Sequence, residues 1–190
     1  MRVMAGLARG MTLKVPRAGV RPTMDLVKGA IFSSLHDLVP EARVLDLFAG
    51  SGSLGIEALS RGAARAVFVE SDKAVVRVLE ENLAKTRFEG EIHAADVFSY
   101  LDRVAPAGGF DFIIADPPYA KAPGERDFGA ELLGSASLRR ALAPGGIFVL
   151  EHLPNAKLNI PAELECFRDK RYGATAVAFF RRAASQPPED

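Results

Sequence analysis

The stretch RVLDLFAGSGSLGIEALSRG, residues 43–62, restricts what this chain can fold into more than any other. Val44, Leu45, Leu47 and Phe48 form a nearly continuous apolar run, the pattern of a strand buried on both faces of a parallel sheet. Asp46 interrupts it. A carboxylate there costs free energy unless something binds it, so Asp46 is assigned to a site beyond the strand rather than to the core. Gly50, Gly52 and Gly55 then read G-x-G-x-x-G. Without Cβ atoms the chain can turn tightly, a ligand can approach the backbone, and the next helix can pack close to the strand. Leu54, Ala58 and Leu59 continue at helical spacing, with Gly62 as the C-terminal cap. Such a socket suits a nucleotide-like ligand, although the glycine pattern also arises in ordinary tight turns. Val67, Phe68 and Val69 make a second apolar run ending at Glu70, 20 positions after Gly50. That is the separation at which a strand-tip acid reaches a ribose hydroxyl pair; the alternative is a solvated strand-end carboxylate.

The rest of the chain supplies the alternation that such a socket needs. Val27, Ile31, Leu35 and Leu38 give a helix after Pro22 one apolar face, with Thr23 as N-cap and Pro40 as terminator. Asp72 caps a helix buried through Val75, Val76, Leu79 and Leu83. Ile92 lies in a short third strand leading to Asp96, and 97–104 reads as a short helix. Residues 110–115, FDFIIA, make a fourth and central strand. Residues 132–142 read as one helix, Pro144-Gly145-Gly146 as a turn and 147–150 as a fifth strand. Residues 164–167 and 174–180 close the sheet as an antiparallel pair around Tyr172-Gly173. The expected fold is α/β: a Rossmann-like, doubly wound, mostly parallel seven-stranded sheet with an antiparallel C-terminal pair and its site at the C-terminal edge of the parallel strands.

With 190 residues the chain supports one well-cored domain. A single cysteine, Cys166, excludes an internal disulfide and a cysteine-rich zinc site and fits a reducing compartment; three scattered histidines suggest no metal site. No apolar run approaches the length that spans a bilayer. Cations and acids balance at 24 each, so net charge announces no nucleic-acid partner, but their distribution is uneven. Residues 1–24 carry Arg2, Arg9, Lys14, Arg17 and Arg21 and a single kind of charge. Gly6, Gly10, Pro16 and Gly19 and the lack of an amphipathic helix argue against a transit peptide. A folded basic β-hairpin extension over 1–20 is expected, then the main domain over 21–184 and a disordered tail over 185–190.

Asp116-Pro117-Pro118-Tyr119 follows the fourth strand, where a doubly wound sheet presents its ligand-binding edge. Two prolines remove two amide donors, so the loop offers carbonyls to a partner that brings hydrogens, such as an amino group. Asp116 adds a carboxylate acceptor, and Tyr119 a face on which a base can stack. A rigid turn with a buried tyrosine is the plainer alternative.

These residues resemble a class I S-adenosylmethionine-dependent methyltransferase. Arg21-Pro22-Thr23, DLFAGSGSLGIEALSRGA, FVESDKAVVRVLEENL, the Asp116-to-Tyr119 tetrapeptide and RYGATAVAFF together resemble the bacterial RsmD family over nearly the whole chain. The resemblance implies methyl transfer from S-adenosylmethionine, leaving S-adenosylhomocysteine, to a guanine N2 of small-subunit (16S) ribosomal RNA, free or in an assembling subunit. It implies a cytoplasmic monomer that uses no metal. Asp46, Phe48, Ala49, Gly50, Ser51 and Gly52 are then expected around the methionine part of the cofactor, Glu70 at the ribose, and Asp96 with Val97 at the adenine. Asp116, Pro117, Pro118 and Tyr119 are expected to hold the target amine, and Arg2, Arg9, Lys14, Arg17, Arg21, Thr23 and Tyr172 to contact RNA. Three alternatives stay open: a nicotinamide-dependent oxidoreductase, which leaves the tetrapeptide unused, a DNA amino-methyltransferase, and a non-catalytic nucleic-acid-binding module.

Overall fold

A computed structural model describes residues 1–16, 22–120, 122 and 124–183, and the backbone alone of 22–24. The elements in chain order are α1 (Pro22–Leu35), β1 (Arg43–Leu47), α2 (Ser53–Ser60), β2 (Arg65–Glu70), α3 (Lys73–Thr86), β3 (Glu91–Ala94), α4 (Val97–Arg103), β4 (Phe110–Ala115), α5 (Phe128–Gly134), α6 (Ala136–Ala141), β5 (Leu142–His152), β6 (Leu164–Tyr172) and β7 (Thr175–Arg182). The apolar runs become the central strands because both faces of the sheet are covered. Leu45, Val67, Ile113 and Phe148 pack on one face with Tyr100, Leu101, Leu132 and Leu138 of the α4–α6 side. Val44, Phe112, Ile114 and Val149 pack on the other with Val27, Ile31 and Phe32 of α1.

Strand order is β3-β2-β1-β4-β5-β7-β6, parallel through β5 and antiparallel for β7 and β6. The chain leaves β1 toward one edge and returns at β4 toward the other, so the carboxyl ends of these neighbours open the crevice in which doubly wound sheets bind ligands. The glycine turn follows β1, and Asp116 follows β4.

Three local expectations are corrected, and the N-terminal segment packs more closely than expected. The first helix ends at Leu35, and a 3₁₀ turn over His36–Leu38 rotates Leu38 out to 57% exposure instead of extending the apolar face. Residues 132–142 are not one helix: Ser135 takes an extended conformation and its hydroxyl accepts from Leu138 N, so α5 stops and α6 starts there. The Pro144-Gly145-Gly146 turn lies inside β5, which begins at Leu142 and absorbs it as a register shift opposite Phe110 and Phe112. The N-terminal hairpin holds a single antiparallel bridge, Arg2 to Thr12. Val3 N, Gly10 N and Leu13 N donate across it to Met11 O, Val3 O and Met1 O, and further donors go to α2: Met4 N and Ala5 N donate to the Glu57 carboxylate at 2.7 and 3.1 Å, and Leu7 N to Ser60 O at 2.8 Å. Val3, Ala8 and Leu13 are buried against Ile56, Leu59, Phe68 and Leu79, so the segment forms part of the main core. Arg17, Arg21, the side chain of Thr23 and the expected tail lie outside the described residues.

Candidate active site

The three glycines of the turn do different work. A Cβ on Gly55 would come within 2.2 Å of the Phe68 ring, and one on Gly52, itself at φ +80°, within 2.1 Å of Leu79. These two let α2 settle onto the sheet and α3. A Cβ on Gly50 would meet nothing closer than 3.9 Å, so its bareness serves open space. Phe48 holds φ +56°, a strained conformation for a bulky residue at the start of the turn.

Carboxylates surround this turn. Glu70 clamps it, accepting from Gly50 N at 3.0 Å and from Asp72 N at 2.9 Å. Two accepted bonds leave lone pairs on a carboxylate for a further donor. Asp46 is 1% exposed and accepts from Gly55 N at 2.8 Å. Burial, with Asp116 and Glu70 nearby, pushes its pKa up to about 8. Asp96 caps α4 through Ser99 N at 2.9 Å, with Val97 buried behind it. Phe98 and Phe128 stack near this cap, Phe128 also meets Phe48 edge-on at 5.3 Å, and the Arg126 guanidinium lies over both Phe98 and Phe128.

Across the crevice, burial and the charge of Glu151 raise Asp116 to about 7. Tyr119 is not a free stacking face: its hydroxyl meets Thr175 Oγ1 at 2.6 Å and donates to Glu151 Oε1 at 3.1 Å, while Thr175 donates to the same oxygen at 2.9 Å. This network fixes the ring plane, and burial raises the Tyr119 pKa as well. Pro117 is buried and Pro118 exposed.

A cleft lined by Asp46, Phe48, Gly50, Ser51, Ser53, Asp116 and Glu151 lies on one side of this loop. A pocket of about 370 Å³, lined by Pro117, Pro118, Tyr119, Gly129, Glu151 and Leu158 among others, lies on the other. They meet at Glu151.

Sequence reading missed three contributors. Glu151 lies one residue before the end of β5 and Glu70 ends β2, IFVLE beside VFVE, and that repeated pattern is the signal that could have found it. Thr175 carries no local signal. Lys28 lines the cleft although it sits on the buried face of α1 and is only 1% exposed. Its ammonium donates to Arg2 O at 2.6 Å and Ser53 Oγ at 3.1 Å, and lies 3.6 Å from Glu57. Burial lowers its pKa, and Glu57 and Asp25 oppose that.

Of the expected RNA-contacting residues, Arg2 and Arg9 are exposed, but Lys14 is ion-paired with Glu81. Tyr172 ends β6 and pairs directly with Thr175 across the ladder. Among the described residues no cluster of three or more His, Cys, Asp or Glu side chains is arranged to hold a metal ion, and no helix is long and apolar enough to cross a membrane.

A seven-stranded sheet of this order, with a glycine turn after β1, an acid at the tip of β2 and an Asp-Pro-Pro-Tyr loop after β4, defines a methyltransferase of class I. Within that class the chain belongs to the RsmD family. The family model described as "Conserved hypothetical protein 95" matches residues 1–181. The ribosomal RNA small subunit methyltransferase D of Escherichia coli K12 is 33% identical over 186 residues, covering 97% of this chain and 91% of that protein. A Thermus structure, described only as a hypothetical protein, superposes with a TM-score of 0.78 at 33% identity, covering 94% of this chain and 98% of that one. The Thermus thermophilus 16S rRNA N2 G1207 methyltransferase, solved with AdoMet and guanosine, gives a TM-score of 0.68 at 25% identity, covering 88% of this chain and 44% of that one.

Proposed function

We propose that this protein transfers the methyl group of S-adenosylmethionine to the exocyclic N2 of a guanine in small-subunit ribosomal RNA. The observation that carries the reading is the charge of the cleft: Asp46, Asp116 and Glu151 line it and Glu70 flanks it, while the ammonium of Lys28, also in the lining, is engaged by Arg2 O, Ser53 Oγ and Glu57. Asp46, Asp116 and Glu151 are held above their ordinary carboxylate range chiefly by burial. Such a wall favours a cationic ligand and opposes an anionic one. S-adenosylmethionine carries an ammonium and a sulfonium that would favour the ionised form of these carboxyl groups, whereas the pyrophosphate of a nicotinamide dinucleotide would oppose their ionisation. The substrate assignment is supported by the names of the related ribosomal RNA methyltransferases.

The residues fit the cofactor. Phe48 to Gly52 with Asp46 would hold its methionine part, Glu70 the ribose, and Asp96 with Val97 the adenine. When bound, it supplies a methyl group on a sulfonium, which is already a good leaving group. The protein's own task is to aim a weak nucleophile. The Asp116 carboxylate and the Pro117 carbonyl accept the two N2 hydrogens, favouring the pyramidal geometry that turns the nitrogen lone pair toward the cleft. Tyr119, locked by Thr175 and Glu151, presents a fixed face to the base in the larger pocket. With a pKa of about 7, Asp116 can hold the proton that N2 releases before passing it to water. A base inside a duplex cannot reach this loop, so the target is unpaired or flipped.

The test is to incubate the purified protein with labelled S-adenosylmethionine and small-subunit RNA, free or in particles, and to map the product. One N2-methylguanine is expected. Methyl groups on DNA, on adenine or on large-subunit RNA would sink the substrate assignment, and failure to bind S-adenosylmethionine would sink the chemistry.

A further inference from the structure

The basic residues that count for an external partner are those that the fold has not already neutralised. Several surface cations of this protein are paired, Lys14 with Glu81, Arg43 with Asp111, Arg65 with Glu91, Arg126 with Glu131 and Arg181 with Glu165, while others, among them Arg2, Arg9, Arg77 and Arg103, have no carboxylate partner among the described residues. The end of β6, Arg168-Asp169-Lys170-Arg171-Tyr172, gathers three cations on one strand. Among the described residues none of its three exposed cations has a carboxylate partner. Arg168 donates to Ser34 Oγ at 2.7 Å, Arg171 to Gly173 O at 2.9 Å, and the Lys170 ammonium lies 5.7 Å from the Tyr172 ring centre. The one acid, Asp169, is engaged by His152 Nε2 at 3.1 Å.

Geometry adds direction. Arg168, Lys170 and Tyr172 pair with Phe179, Val177 and Thr175, so they share one face of the edge strand, each about 7 Å from the next. With Ala30, Ser33 and Ser34 of α1, and with Asp169, they line an open groove. Its upper end is Tyr172, opposite the Thr175 that holds Tyr119 and Glu151. Cations and hydroxyls spaced along a groove are the donors that a phosphate backbone needs, and an aromatic at the mouth gives an unpaired base a surface to stack on.

We propose that the groove between α1 and β6 is the track for the RNA backbone flanking the target guanine, with Arg168 and Lys170 on phosphates and Tyr172 on the adjoining nucleotide. The proposal rests on the RNA methyltransferase reading given above. An edge strand also carries cations simply to discourage strand pairing between molecules, so the experiment must separate these roles. Binding of a small-subunit RNA fragment is measured against salt for the full chain, for R168A/K170A and for R2A/R9A. S-adenosylmethionine affinity and methyl transfer are followed alongside. Each lost phosphate contact reduces the magnitude of the slope of log K against log salt by about 1. R168A/K170A is therefore expected to reduce it by about 2 and to raise KM for RNA, with cofactor affinity and the rate at saturating RNA unchanged. R2A/R9A is expected to change it less. An R168A/K170A slope equal to that of the parent overturns the proposal, whether or not the variant self-associates. Weaker binding to assembled particles with unaltered binding to RNA also overturns it, because the groove would then face a ribosomal protein. If the parent chain itself transfers no methyl group to RNA, the functional reading falls first and the track with it.

Discussion

Two groups of buried charge lie either side of the glycine turn, and they have opposite arrangements. Under the N-terminal segment Glu57 is 0% exposed, yet it accepts from Met4 N, Ala5 N and Arg61 Nε and lies 3.6 Å from the Lys28 ammonium. Its charge is met on every side. In the cleft, Asp46 accepts from Gly55 N and Glu151 from two hydroxyls, Asp116 lies near both, and none of the three has an ion pair among the described residues, because the Lys28 ammonium in the same lining is turned to Arg2 O, Ser53 and Glu57. A compensated cluster holds structure together, whereas clustered carboxylates that lack a cation hold a site open for a ligand that brings one.

The largest effect should come from breaking the compensated side. Glu57→Ala leaves Lys28 and Arg61 without their shared carboxylate and two amides of the N-terminal segment without an acceptor. A loss of about 3–5 kcal/mol in unfolding free energy is expected, read by denaturant titration. A loss below about 1 kcal/mol would show that the N-terminal segment is not anchored through this residue.

On the other side, Asp116→Ala should leave stability and cofactor affinity nearly intact while slowing methyl transfer by about 10²–10³-fold, the usual scale for one orienting group at a reacting centre. Asp116→Asn separates acceptor from charge. The amide oxygen still accepts from N2, and unlike the carboxylate it does so at any pH. The parent rate should fall as pH drops through about 7, where the Asp116 pair with Glu151 takes up a proton, and the Asn variant should lose that dependence. Glu70→Ala removes the clamp on Gly50 and Asp72 and a charged acceptor at the turn. Cofactor binding measured by calorimetry should weaken by roughly 10–100-fold, the worth of a charge-assisted hydrogen bond.

A pH profile is the most diagnostic test of an uncompensated carboxylate. Asp46 has its pKa raised from 3.8 to about 8, so the folded state binds a proton that the unfolded state has released. Its contribution to stability is full below pH 3.8 and is lost as pH rises to about 8, since stability falls wherever the folded state holds more protons. Asp46→Asn should flatten the decline between pH 4 and 8 in thermal melts without cofactor. Bound cofactor should flatten it too, because an ammonium beside Asp46 stabilises the ionised form. An identical decline in parent and variant would place the pH dependence elsewhere.

The runs at 44–48, 67–70 and 110–115 were legible as parallel strands because burial on both faces leaves a run with few polar interruptions. The end of the first helix was not: Leu38 keeps the apolar spacing of Val27, Ile31 and Leu35, and only the 3₁₀ turn sends it to solvent. Likewise Ser135 is an ordinary residue in sequence and a helix cap in the fold.

The site divides along the same line. Sequence by itself determined the glycine turn, Asp46, Glu70 and the Asp116-to-Tyr119 loop, because each belongs to a local pattern in which spacing along the chain sets position on the sheet edge. Only the tertiary structure decided that Glu151 and Thr175 lock Tyr119, that Lys28 links Arg2 and Ser53 beside the cleft, and that Lys14 is neutralised while Arg168 and Lys170 are not. Those pairings join residues up to 134 positions apart. Whether a charge is paired depends on what the fold brings within about 4 Å of it, and no spacing along the chain encodes that distance.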